Sequence, residues 1–500
     1  MLKRALLGIA GLFVILVAVL VVRTLMVPPL PPAETASADN SHAEQAARHL
    51  SEAVRFKTVS HQTGAAPEEI AASHRAMTGF RNWLSETYPA FTKATTREIA
   101  GGYSLLFTWK GTDPSLKPIL LMSHFDVVPV VPGTESKWEE PPFSGKIAGG
   151  YVWGRGTIDT KGSLVAMVEA ANLLASEGFR PARTVMFAFG HDEELGGDEG
   201  NTQIAAMLKQ RGVELAWVAD EGGVIGEHLL PGVSAPVALI GVAEKGYISL
   251  RLTARAQGGH SSMPPAVAET AIGRLSRAID RLDRAPFDSE MEGTSRHMIE
   301  GLAPAVPFLR RMVFANMWLF EPLVRGTLEK SHSGAAQLHT TISPTIIEGG
   351  TKENVLPPEA SAVVNFRIHP RDSAEKIIDH VTQAVDDPEI DIEPLPGIRE
   401  ASKVSNVNGP AYRTLTRVVK ESFPGIVPVP NLTVGGTDSR HYLPLTDNVF
   451  RFIPVRMGPG DLARFHGTNE RISVENMGEA VGFYLRLMKE LGPEKDEAAS

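Results

Sequence analysis

Ile119-Leu120-Leu121-Met122-Ser123-His124-Phe125-Asp126 is a short apolar run that ends on an imidazole and a carboxylate. Its length fits a buried strand, and its end carries chemistry. Residues two apart on an extended chain face the same side, so Asp126 stands where it can hold the ring of His124; a solvated turn is the plainer alternative. Residues 184–189 are β-rich and run straight into Gly190-His191-Asp192-Glu193-Glu194, and 215–219 lead into Asp220-Glu221-Gly222-Gly223. Between the first two strands, 160–177 has helical spacing (Leu164, Val168, Ala171, Leu174) and stops at Gly178. Strands and helices therefore alternate, and three polar clusters fall just past the C-terminal ends of apolar strands. In open α/β sheets that edge binds ligands.

Two further pieces extend the pattern. Gly154-Arg155-Gly156-Thr157-Ile158-Asp159-Thr160-Lys161-Gly162 places Asp159 at the mouth of the helix, where a capping role is the ordinary alternative. Neither phosphate-loop pattern fits it. Phe465-His466-Gly467-Thr468-Asn469-Glu470 supplies a second histidine. Imidazole with carboxylate is the ligand chemistry of zinc and similar divalent ions. Several carboxylates crowd one neutral-pH pocket only when a cation balances them. Of the adjacent Glu193 and Glu194, one can bind metal while the other acts as a base; a solvated acidic loop is the bland reading of that pair alone. A metal-assisted hydrolase follows. The chain has no H-E-x-x-H and no G-x-S-x-G, and without cysteine it has neither thiol nucleophile nor thiolate ligand.

Five hundred residues exceed one ordinary core, so at least two domains are expected. The net charge of -9, with no basic tract in the body, argues against nucleic acid as a partner. Near Lys245 the texture changes: 247–254 and 360–368 alternate like half-exposed antiparallel strands. The expected division is a membrane anchor at 1–27, a proline-rich linker at 28–42, a catalytic domain at 43–245 and 372–490, an inserted domain at 246–371, and a polar tail at 491–500. The apolar stretch 306–324 lines an acyl pocket, touches a membrane or, most simply, forms core of the inserted domain.

At the N-terminus, residues 5–22 are unbroken apolar sequence flanked by Lys3, Arg4 and Arg23. About 20 helical residues cross a bilayer, and the apolar core of a cleaved signal is shorter, roughly 7–15 residues. The length favours an uncleaved anchor, with secretion after cleavage as the alternative. Lys3 and Arg4 place the N-terminus in the cytoplasm and the bulk of the chain outside.

With these pieces in order, the chain resembles the dinuclear zinc exopeptidases and deacylases that include aminoacylase, acetylornithine deacetylase, glutamate carboxypeptidase and carboxypeptidase S. The matching residues are those at 123–126, 154–162, 192–194, 220–223 and 466–470, and the likeness spans about 45–490. Asp-Glu-Gly-Gly at 220–223, Gly-Gly-His-Ser-Ser at 258–262 and the anchor point to the carboxypeptidase S branch, which includes enzymes that make and break N-fatty-acyl amino acids. The resemblance implies an α/β, mixed-sheet, zinc-exopeptidase-like catalytic domain with an inserted α+β (ferredoxin-like) lid domain, behind an N-terminal transmembrane helix.

It also implies two Zn2+, replaceable by Co2+ or Mn2+, bridged by Asp159. His124 and Asp220 would complete one site, Glu194 and His466 the other. Glu193 would be the general base, Asp126 would support His124, and His260 of the lid would stabilise the oxyanion. Asn354, Arg367 and the glycine-rich loop at Gly435, Gly436 and Thr437 would grip a substrate carboxylate. The implied activity is cleavage of an amide bond beside a free carboxylate, in N-acyl amino acids or short peptides. A tethered, non-catalytic metal-dependent binding protein is the contrasting expectation.

Overall fold

The computed structural model describes residues 2–30, 40–62 and 64–491. Most of the expected linker and nearly all of the polar tail lie outside these described residues.

A mixed ten-stranded sheet forms the larger layer. At its centre the opening run becomes strand Ile119–His124, parallel to Val185–Gly190 on one side and to Trp217–Asp220 on the other. Alternation along these strands builds two cores. Val185, Phe187 and Phe189 face helices Ala43–Val54, Lys161–Ser176 and Val474–Lys489, whereas Met186 and Ala188 face helix Asn201–Gln210. All six residues of Val185–Gly190 are buried. Fully burying one such side chain is worth roughly 1.5–3 kcal/mol, so these strand ends form a rigid platform.

A separate antiparallel sheet runs in the order Thr341–Gly349, Glu359–Ile368, Gly246–Arg255, Ile390–Pro394. Helices Ala271–Asp283 and Ala374–Val385 close its core. Strand-helix-strand-strand-helix-strand is therefore complete only at Pro394, beyond the boundary expected at 371. The last strand, paired as Leu250↔Pro394 through Ala254↔Ile390, buries Ile390 alone, so its pattern was too faint to read.

The apolar stretch at 306–324 contributes nothing to that second core. It forms helices Phe308–Ala315 and Met317–Leu328, broken at Asn316, which pack with Gly293–Leu302 and the main-sheet strand Val427–Thr433. The N-terminal helix runs from Leu2 to Leu25, and its apolar window has mean hydropathy 3.1 with 6% of it buried.

Candidate metal centre

The strand ends deliver the polar residues to one place. His124, last residue of its strand, lies in register with Gly190, so the turn carrying Glu193 and Glu194 sits beside it. Asp126 ties the two together. Its Oδ1 lies 3.2 Å from His124 Nδ1, and its two oxygens accept from the backbone N–H groups of Glu193 and Glu194, each at 3.2 Å. Ser60 Oγ donates to the same carboxylate at 2.5 Å. The buried Asp126 thus contacts both the ring and the acidic turn.

Asp159 reaches both histidines. Its Oδ1 lies 3.1 Å from His124 Nε2, and its Oδ2 lies 2.9 Å from His466 Nε2. Glu221 Oε1 is 3.2 Å from His124 Nε2, and Glu194 Oε2 is 3.3 Å from His466 Nε2. Glu193 stands back, its Oε2 4.0 Å from His124 Nε2.

Asp220 is elsewhere. Its Oδ2 accepts from the Ser439 amide at 2.9 Å, and the charges of Arg451 and His124 both act against the burial that raises its pKa. Consecutive residues leaving a strand point to opposite sides. With Asp220 turned toward Ser439, the next side chain, Glu221, faces the histidine. The ligand expected at Asp220 is therefore better placed at Glu221.

Two residues outside the expected set hold the loops. Arg155 Nη1 pairs with Glu470 Oε2 at 2.8 Å, and its Nη2 donates to the carbonyls of His466 and Gly467 at 3.1 and 3.0 Å. Glu470 Oε1 in turn accepts from the amides of Ile158 and Asp159 at 2.9 and 3.2 Å. This buried pair sets Asp159 against His466 although 307 residues separate them.

The electrostatics ask for cations. Burial raises the pKa of Glu193 well above the carboxylate range, with the charge of Glu221 adding to it, and burial raises Glu194 as well. Burial pushes Glu221 up to about 8. Hydrogen bonds to Asp159 and Glu194 raise His466 to about 10. Burial opposes charge on His124, yet Glu221, Asp126 and Asp159 outweigh it and hold its pKa high. Protons are balancing charge that a divalent ion balances better. The donor set fits such ions. One oxygen each of Asp159 and Glu194 and a nitrogen of His124 lie within 4.8 Å of one another, as do those of Glu193, Glu221 and His124. Glu194 Oε1 is buried with no hydrogen-bond partner. Separations near 3 Å between donors suit ligands that share an ion at about 2.0–2.2 Å.

Residues 120–490 match the profile of peptidase family M20/M25/M40. A probable carboxypeptidase S-like protein 2 of Dictyostelium discoideum is 39% identical over 445 residues, covering 89% of this chain and 84% of its own. The chain belongs to peptidase family M20/M25/M40. The N-fatty-acyl-amino acid synthase/hydrolase PM20D1 of Xenopus tropicalis is 36% identical, across 95% of this chain and 93% of its own. In fold, this M20 chain is similar to an M20 family metallo-carboxypeptidase from Sulfolobus solfataricus, with TM-score 0.62 at 17% identity over 89% of this chain and 99% of that one. This M20 protein is thus a metallopeptidase or amidohydrolase of the carboxypeptidase S-like branch.

The residues expected to grip substrate are dispersed in this M20 structure. His260 is exposed on the two-residue strand Gly259–His260, its Nδ1 accepting from Ser262 N at 3.1 Å, and Asn354 is exposed beside the facing strand Val355–Leu356. Thr437 turns inward: its N–H and hydroxyl both donate to Glu244 at 3.1 Å. Gly435 and Gly436 are exposed. Arg367 lies over the Tyr247 ring at 5.1 Å, and Arg399, which was not anticipated, lies over the same ring at 5.4 Å. Arg440 donates to the carbonyls of Gly196 and Thr437. A Cβ placed on Gly196 would sit 3.7 Å from Arg440 and 4.0 Å from Arg399, so both guanidinium groups converge just past Glu193 and Glu194. Among the described residues no carboxylate forms an ion pair with Arg367, Arg399 or Arg440.

Proposed function

We propose that this protein is a dinuclear metallohydrolase that cleaves an amide bond beside a free carboxylate, with N-fatty-acyl amino acids as its leading substrate class. The observation that carries the reading is Asp159, whose two oxygens address two different histidines. His124, Asp159 and Glu221 would hold one ion, and Asp159, Glu194 and His466 the other. Two Zn2+ fit this nitrogen and oxygen set, and Co2+ or Mn2+ can substitute. When bound, such a pair polarises an amide carbonyl and makes water acidic near neutral pH.

The protein groups do the rest. Glu193 takes a proton from water and passes it to the departing amine nitrogen. Asp126 keeps His124 in the tautomer whose Nε2 faces the centre. His260, on an exposed strand of the ferredoxin-like lid, and Asn354, beside the strand paired with it, would meet the tetrahedral oxyanion and the substrate, and the exposed amides at Gly435 and Gly436 would join them. Arg367, Arg399 and Arg440 are unpaired cations suited to the carboxylate. The N-terminal helix would anchor the enzyme in a membrane, N-terminus cytoplasmic and catalytic domain outside.

The relative named for N-fatty-acyl-amino acid hydrolysis is similar nearly end to end, which supports the acyl class. Purified enzyme is expected to hydrolyse N-oleoyl-phenylalanine in preference to a Gly-Leu dipeptide; the reverse order assigns it to carboxypeptidase action on short peptides. Arg399→Ala is expected to raise KM about 10- to 100-fold with kcat little changed, since a hydrogen bond to a charged group is worth about 1.5–3 kcal/mol. A substrate whose carboxylate is capped as an amide should not distinguish the variant. Equal losses on both substrates would remove Arg399 from the carboxylate subsite.

A further inference from the structure

Helices Phe308–Ala315 and Met317–Leu328 form an elbow whose outer surface is mostly apolar, with Arg310 exposed at its margin and donating to Pro231 O. On the second helix, Trp318, Leu319, Pro322, Leu323 and Gly326 follow one another at helical spacing, and Trp318, Leu319 and Leu323 are 51%, 40% and 61% exposed. Phe308 and Leu309 continue the surface on the first helix at 41% and 71%. A surface helix normally turns its polar face outward. Here the charged Glu321 and Arg325 pair with each other at 3.0 Å, and the outward stripe is hydrocarbon.

The elbow is locked to the N-terminal helix by buried polar contacts. Asn316, at the break between the two helices, is fully buried, and its Nδ2 donates to Leu20 O at 3.2 Å and Thr24 Oγ1 at 3.4 Å. Thr24 is also fully buried. Arg311 donates to Val27 O at 3.3 Å, and the Leu30 amide donates to Pro304 O at 3.0 Å. Leu30 packs on the core formed by Met298, Ile299 and Leu302. The folded domain thus holds the end of this helix as an integral part, which a segment discarded on export has no reason to be.

The 24 residues of Leu2–Leu25 extend about 36 Å, against a hydrocarbon core of about 30 Å. Their last turn, which the elbow grips, emerges at the membrane interface. We propose that the elbow is a second membrane contact, with the apolar faces of Phe308–Ala315 and Met317–Leu328 lying in the phospholipid interface at the C-terminal end of the N-terminal span. The proposal rests on that helix being a retained anchor. Continuity with the span selects lipid as what covers the face, and Trp318 suits an interfacial depth. Two attachments fix the tilt of the catalytic domain over the bilayer, where one flexible tether leaves it free.

The chain contains no cysteine, so single spin labels can be placed without other changes. Leu12→Cys, Ile99→Cys, Leu309→Cys and Leu323→Cys are made in the full chain and reconstituted in phosphatidylcholine nanodiscs. Accessibility to oxygen is then compared with accessibility to a water-soluble nickel chelate. Leu12 reports the span, and Ile99, 49% exposed on an edge strand, reports water. Labels at 309 and 323 are expected to favour oxygen severalfold over the label at 99. If 309 and 323 match 99 while 12 reports hydrocarbon, the helix spans and the elbow proposal is overturned. If 12 also reports water, the anchor reading has failed and the proposal falls with it. Shielding at 309 and 323 that persists in detergent, with dipolar broadening between chains, would assign the face to a second copy and also overturn it.

Discussion

Glu193→Gln is expected to lower kcat by about 10²–10⁴ while metal content and folding remain unchanged. The amide keeps the size and the backbone bond to Asp126 but cannot accept a proton from water. Geometry separates Glu193 from Glu194: Glu194 lies 3.3 Å from His466, whereas Glu193 stands 4.0 Å from His124, farther from the ring than Asp159 or Glu221. Burial and Glu221 raise its pKa well above that of an ordinary glutamate, the direction that a proton-accepting group needs. Glu194→Gln should instead lose metal along with activity. The paired measurement is kcat against bound metal per chain: loss of turnover with two ions retained marks the base. Unchanged turnover in Glu193→Gln would refute the mechanism.

Stripping metal with a chelator is expected to abolish hydrolysis, and Zn2+, Co2+ or Mn2+ should restore it. Asp159→Ala should lower the number of ions bound per chain and should not recover on adding metal, because both histidines lose their shared carboxylate. Stability should follow. An ion at 100 times its Kd adds about 2.7 kcal/mol to the folded state. The contribution of the empty centre to pH dependence has a definite sign. Glu193, Glu194, Asp220 and Glu221 all have raised pKa values, with Glu221 near 8, and His466 is raised to about 10. The folded metal centre therefore binds more protons than the same groups in the unfolded chain, and its contribution to stability falls as pH climbs from the carboxylate range through about 8, while His191, His369 and His441, lowered to about 4 by burial, act in the opposite sense. Bound metal should flatten this fall, since it displaces those protons. Denaturant unfolding at pH 5.5 and 8, with and without metal, reads the centre by difference; a stabilisation by metal that does not grow between the two pH values would contradict the crowded-carboxylate account.

Much of this was legible in the chain. Strand-end histidine and acids, the glycine-flanked Asp159 and the late His466 announced a divalent-metal hydrolase of the α/β class, because each signal sits within a few residues and obeys strand or helix periodicity. What stayed hidden depends on longer range. Periodicity could mark Asp220-Glu221 as a site but did not say which carboxylate turns inward; Ser439, more than two hundred residues later, captures Asp220 and leaves Glu221 for His124. The fourth strand of the small sheet was missed because an exposed five-residue edge buries a single side chain.

Local covalent spacing, then, determined which chemistry this protein carries and on which strand ends it sits. The closing of loops 154–162 and 465–470 by Arg155 and Glu470, the convergence of Arg399 and Arg440 past the acidic turn, and the clasp of Asn316 on the N-terminal helix were decided only by folding. Each is a contact between side chains that hydrophobic periodicity leaves silent, since charge pairing and buried hydrogen bonds become selective only once the surrounding core has excluded water.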